Sequence, residues 1–140
     1  NSISISVNTS TKEVLLNSDK EQLARVFFNL IKNSIESIQE KAQKTTNLSK
    51  KISIEILKIN DHIKFTLIDS GVGFNKDNNI KEILNPYFTT KKNGTGLGLA
   101  IVNKIINDHK GELEFFSIPG GAKIEIIFKL DVNWDFNSRW

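Results

Sequence analysis

The 140-residue chain has no cysteine and no methionine, and only two prolines and two histidines. Without cysteine there is no disulfide framework and no thiolate metal site; a reducing compartment is permitted, not required. No apolar run approaches the roughly 20 residues needed to cross a bilayer, and no signal peptide is visible. Charge of one sign is scarce too, with a formal net charge of +3. That excess helps to hold a polyanion, but no basic stripe with interleaved aromatics points to nucleic acid. Hydrophobic content of 39% and charged content of 25% are ordinary for a globular domain. The length suits one domain that buries about two-thirds of its unfolded surface. The chain opens on Asn1 rather than Met, so a piece of a longer protein is expected.

One stretch, Asn85 to Ile106, carries the densest chemistry. Its middle, Gly94-Thr95-Gly96-Leu97-Gly98, sets three glycines at alternate positions directly before an apolar helical pattern. Glycine there lets backbone approach a ligand closely. A helix N-terminus adds unpaired N–H groups and partial positive charge, a combination suited to phosphate. Just upstream, Phe88-Thr-Thr-Lys91-Lys92 brings hydroxyls and ammonium groups to the same corner. The stretch reads as the triphosphate end of a nucleotide site.

Taken in order, Ile3 to Val7 alternate strictly and predict a half-buried strand, with Val14-Leu15-Leu16 a possible partner. Ser18 to Glu21 form a capping box. From there Leu23, Val26, Phe27, Leu30, Ile31, Ile35 and Ile38 recur at helical spacing, which predicts a helix over about 19–43. Asn29 and Asn33 lie four apart on one face beside that stripe. Two asparagines at a core boundary need polar partners: either backbone and water, or a phosphate-bound Mg²⁺, which prefers oxygen ligands. Residues 41–51 read as a surface loop. Ile52, Ile54 and Ile56, then Ile63, Phe65 and Leu67, predict a hairpin joined through Asn60-Asp61.

The second hairpin strand runs into Asp69-Ser70-Gly71-Val72-Gly73. This is either a plain Asp/Gly turn or a carboxylate beside bare backbone, placed to accept from an exocyclic amine while the glycines leave room for a flat ring. Residues 74–93 read as a long loop with a short helical piece near 80–84, either a mobile cover for a ligand or an ordinary connection. The helix after the glycines turns Leu99, Val102, Ile105 and Ile106 to one side and is expected to stop at a C-cap Gly111, with His109 and Lys110 complementing its dipole. Two strands flank Pro119-Gly120-Gly121. The tail from Trp134 to Trp140 is either a loosely packed end or a docking element.

Three elements now stand in sequence: Asn29-x3-Asn33 on a helix, Asp69-x-Gly71-x-Gly73 after a strand, and Gly94-x-Gly96-x-Gly98 opening a helix. Walker-type and dinucleotide readings of the glycines fail on spacing. With these separations the chain resembles the catalytic ATP-binding domain of sensor histidine kinases. That domain belongs to the Bergerat-fold superfamily with gyrase, MutL and the heat-shock chaperone ATPases. The likeness covers residues 3 to 130, and Asn85-Pro-Tyr-Phe-Thr-Thr-Lys91 looks most like the nitrogen-regulation (NtrY/NtrB) type.

The resemblance implies a two-layer α/β sandwich in which a mixed sheet of about five strands is backed by three helices, with ATP under a flexible lid. It implies a domain over 1–132 followed by a tail over 133–140. Position by position, Asn33 matches the Mg²⁺-coordinating asparagine and Asn29 the polar residue one turn earlier, near the phosphates. Asp69 matches the aspartate that binds the adenine amine, with Gly71 and Gly73 beside the base. Phe88 falls in the short phenylalanine box. Gly94, Thr95, Gly96, Leu97 and Gly98 match the second glycine box around the phosphates, and Lys91 is a candidate γ-phosphate contact. Two positions depart: Glu36 and Ser37 stand where a basic residue and an aromatic are common, and Gly121-Ala122-Lys123 lacks a frequent threonine.

Relatives that hydrolyse ATP carry a glutamate where Asn29 stands, and a neutral amide favours transfer over hydrolysis. The implied acceptor is a histidine on a separate dimerisation domain, with a response regulator downstream. Neither His62, at the hairpin turn, nor His109, at a helix end, fits that role. The isolated chain is therefore expected to bind Mg-ATP as a monomer and not to phosphorylate itself, in the cytoplasm or on the cytoplasmic side of an anchored sensor. Two alternatives are a protein-serine kinase or anti-sigma module of the same superfamily, and a non-catalytic nucleotide-gated interaction module.

Overall fold

The computed structural model describes residues 2–10, 20–74 and 98–129. Its elements in chain order are β1 (Ser4–Thr9), α1 (Lys20–Lys44), β2 (Lys51–Ile59), β3 (His62–Asp69), α2 (Gly98–Asp108), β4 (Glu112–Ile118) and β5 (Gly121–Lys129). The sheet order is β1-β2-β3-β5-β4. β1 runs parallel to β2 and every other pair is antiparallel, so the sheet is mixed. The described residues hold two helices rather than the three expected; the short helical piece at 80–84 lies outside them, as do Ser18 of the capping box, Val14–Leu16 and the tail.

Strand alternation builds the core. Ile52 and Ile54 on β2, Ile63 and Leu67 on β3, and Ile124, Ile126 and Phe128 on β5 are all buried. Register aligns them in rows, Ile54 with Leu67 and Leu67 with Ile124. Val26, Leu30 and Ile38 of α1, with Val102, Ile105 and Ile106 of α2, complete the same core. Phe65 sits between Phe27 and Phe128, with ring centroids 5.1 and 6.1 Å away. The same two-residue period carries β3's inner row, Ile63, Phe65 and Leu67, one step further to Asp69. The carboxylate therefore ends the row of core residues rather than facing solvent.

β1 differs from expectation. It forms as a strand, but all six of its residues are exposed, Ile5 by 48% and Val7 by 62%. Alternation assigns residues to a face; burial needs something stacked on that face, and an edge strand has a neighbour on one side only. The end of α2 differs too. Lys110, at φ 58°, takes the left-handed position expected of Gly111. The Gly111 N–H still donates to the Ile106 carbonyl at 2.8 Å. Gly111 is small for another reason, since a Cβ there would lie 2.7 Å from the Phe128 ring. His109 behaves as a helix-end partner: its Nδ1 lies 2.8 Å from the Ile105 carbonyl, which can only accept, so Nδ1 carries the hydrogen.

On the outer face of the sheet Glu125 sits between Lys123 at 3.0 Å and Lys64 at 3.4 Å. The hydrogen bond from Lys123 holds its carboxyl below the usual glutamate value, against the opposing pull of burial, with Lys64 adding to the effect. Lys123, in the strand that lacks the frequent threonine, thus turns its ammonium to Glu125 and to the ring of Phe116.

Candidate functional site

Two corners of the molecule meet on α1. The first is built on Asp69, the last residue of β3, which is 6% exposed and paired in register with Ile52 and Ala122. Its Oδ1 accepts from the Gly71 N–H at 2.9 Å, and its Oδ2 accepts from the Ser34 hydroxyl at 2.7 Å. One turn on, Ser37 Oγ accepts from the Val72 N–H at 2.9 Å. Two serines three residues apart on α1 thus grip the turn that follows β3, one donating and one accepting.

Close backbone approach fixes the same corner. A Cβ on Gly71 would run into Ser37, and one on Gly121 would run into the Asp69 carbonyl. Gly73 has φ 78°, and a Cβ there would also meet Gly121 O at 2.8 Å and Ser117 Oγ at 2.9 Å. The order Pro119-Gly120, with Gly120 at φ 86°, makes the tight turn that brings Gly121 against the end of β3. The Lys41 ammonium donates to the Gly120 carbonyl at 3.0 Å and ties that turn to the end of α1. Phe74 closes the corner edge-on against Phe115, with ring centroids 5.2 Å apart.

The second corner lies where α2 begins. A Cβ built on Gly98 would fall 3.9 Å from Asn29 Oδ1 and 3.8 Å from Asn33 Nδ2. Both half-buried amides of α1 therefore face the N-terminus of α2, where N–H groups lack intrahelical partners. An anion at that junction would meet helix N–H groups on one side and amides on the other. Two neutral amide carbonyls supply few metal ligands, which fits an ion that takes the rest from water and phosphate, as Mg²⁺ does. Among the described residues no group of three His, Cys, Asp or Glu could hold a metal by itself.

Of the residues singled out in the sequence, the structure brings Asn29, Asn33 and Gly98 together, and Asp69, Gly71 and Gly73 together. Phe88, Lys91, Gly94, Thr95, Gly96 and Leu97 lie outside the described residues. Sequence reasoning missed Ser34 and took Ser37 only as a departure. A signal for Ser34 was present: it interrupts the row Val26, Leu30, Ile38 at its four-residue spacing, and a polar residue in a buried stripe needs a buried partner.

A family model described as histidine kinase-, DNA gyrase B- and HSP90-like ATPase matches residues 18–132. The chain belongs to this ATPase family. Sporulation kinase C of Bacillus subtilis (strain 168) is 34% identical over 121 residues, which is 86% of this chain and 26% of that protein. The signal transduction histidine-protein kinase AtoS of Escherichia coli (strain K12) is 34% identical over 118 residues, 83% of this chain and 18% of that protein. Among solved structures, the nucleotide-free catalytic domain of the histidine kinase ThkA matches with a TM-score of 0.75 at 27% identity, over 91% of this chain and 78% of that one. The chain thus corresponds to the kinase-type ATPase domain of this family and spans about a quarter or less of these curated relatives. No helix among the described residues of this family member is long and apolar enough to cross a membrane.

Proposed function

We propose that this chain binds Mg-ATP between α1, the end of β3 and the start of α2, and donates the γ-phosphoryl group to a histidine on a separate dimerisation domain in two-component signalling. The observation that carries the reading is the position of α1 between both corners. Asn29 and Asn33 face Gly98, while Ser34, next in sequence to Asn33, holds Asp69.

In this reading Asp69 accepts a hydrogen bond from the adenine amine, where guanine would present an oxygen, and Gly71 and Gly73 leave bare backbone beside the ring. Asn33 would hold Mg²⁺ through its amide oxygen, with Asn29 near the phosphates. In the same reading Gly94, Thr95, Gly96, Leu97 and Gly98 are the glycine box around the phosphates and the hinge of the lid, Phe88 belongs to the phenylalanine box, and Lys91 is the candidate γ-phosphate contact. Bound Mg²⁺ supplies charge neutralisation on the phosphate oxygens. The γ-phosphorus bond to the bridging oxygen breaks, ADP leaves with that electron pair, and a bond forms from phosphorus to an imidazole nitrogen of the acceptor. Asn29 cannot take a proton from water, which supports transfer over hydrolysis.

The matched span ends at residue 132, which supports a catalytic domain over 1–132 and a tail over 133–140. The partners in this reading are the dimerisation domain and a response regulator; ThkA itself forms a complex with the response regulator protein TrrA. A kinase drawing on cellular ATP belongs on the cytoplasmic side. Asn85 to Lys91 supports the nitrogen-regulation type on its own, since the named relatives are a sporulation kinase and AtoS.

The test is transfer of label from γ-labelled ATP to a purified dimerisation domain. Label on histidine is expected. Label on a partner's serine would replace this reading with the serine-kinase one, and no label despite bound nucleotide would leave an interaction module. The chain alone should stay unlabelled, because in this reading the acceptor histidine belongs to the dimerisation domain, whereas His62 stands at the hairpin turn and His109 at the end of α2.

A further inference from the structure

The innermost stripe of α1 runs Val26, Leu30, Ser34, Ile38, and the serine in it is 2% exposed. A residue that merely filled that stripe would serve as well or better as alanine, the strongest helix former. The hydroxyl is instead committed to one partner, Oδ2 of Asp69 at 2.7 Å, a well-formed hydrogen bond. The other oxygen, Oδ1, takes the Gly71 N–H at 2.9 Å. A carboxylate offers about four lone-pair sites. One donor on each oxygen fixes the plane of the group and the direction of the acceptor sites left over.

We propose that Ser34 is a positioning residue for base selection: its hydroxyl holds the Asp69 carboxylate in the orientation that distinguishes an exocyclic amine from a carbonyl. The inference rests on the nucleotide reading above and deepens it. Ser34 acts through Asp69 and does not touch the base. The Gly71 N–H remains when the hydroxyl is removed, so the carboxylate keeps one tether and can turn about it. A turned carboxylate still fills its space but no longer selects the amine.

The test compares the affinities of ATP and inosine triphosphate, which carries an oxygen in place of the amine, for the wild-type chain, Ser34→Ala and Asp69→Asn. The wild type should prefer ATP. Ser34→Ala should weaken ATP on the order of tenfold and leave inosine triphosphate within about twofold, so the preference shrinks. A merely structural serine would weaken both nucleotides alike and leave the ratio unchanged, which would overturn the proposal; so would no change in either affinity. Ser34→Cys keeps a side-chain donor, weaker and slightly larger, and should also lower the ratio, so it carries the question if the alanine variant does not fold; a wild-type ratio there would overturn the proposal. A wild type without preference, or full preference in Asp69→Asn, would instead remove the adenine reading of Asp69, and this inference with it.

Discussion

The two corners on α1 are built to different tolerances. At the Asp69 corner the backbone passes so close to its neighbours that Gly71, Gly73 and Gly121 each leave no space for a methyl group. At the Gly98 corner the nearest neighbours of a built Cβ among the described residues are the Asn29 and Asn33 amides at 3.8 to 4.0 Å, ordinary van der Waals contact. The first corner is shaped by packing against the rest of the fold, which sets one geometry for a flat base. The second brings two amides and a helix end to ordinary contact distance. In the proposed function metal and phosphate lie at this second corner.

That contrast can be broken by two glycine substitutions. Gly121→Ala has the larger expected effect, because its methyl group is driven into the Asp69 carbonyl at the end of the β3–β5 pairing. A loss of about 3 kcal/mol of stability is expected, read as a lowered urea midpoint, with nucleotide affinity falling alongside. A stability within about 0.5 kcal/mol of wild type would mean that the corner is not fixed by this contact. Gly98→Ala should show the reverse pattern. Among the described residues the added methyl meets nothing closer than 3.8 Å, and alanine is the better helix former. The melting temperature should hold or rise slightly while Mg-ATP affinity drops on the order of tenfold, because the methyl points into the space between the amides and the helix end. Equal damage to stability from both substitutions would erase the distinction.

The same distinction explains what was legible in the sequence. Features set by local pattern were readable: α1 runs 20–44 where apolar spacing predicts about 19–43, and the hairpin turns at Asn60-Asp61. Asn60 takes φ 55° there, which asparagine tolerates. The second corner was readable because its groups announce themselves as residue types, two amides one turn apart and a glycine opening a helix. The first corner was only half readable. Asp69 and its glycines stood out, but the groups that hold them come from 35 residues away and from Gly121 across the sheet. Ser37 read as a missing aromatic, yet its smallness is what lets Gly71 and the Val72 N–H reach α1. Gly111 read as a left-handed cap because glycine usually serves there; the Phe128 ring was the stronger reason, and Lys110 took the turn instead. β1 read as half-buried because alternation does not report what lies above a strand.

The central claim is that nucleotide and magnesium meet between the two corners, with Asn33 on the metal. The most direct measurement is calorimetric titration of ATP into the folded chain, with and without Mg²⁺, for the wild type and for Asn33→Ala. The account predicts saturable heat that strengthens with Mg²⁺ in the wild type, and loss of that metal dependence in the variant. No heat from Mg-ATP in a well-folded chain, or undiminished metal dependence without the Asn33 amide, would contradict it.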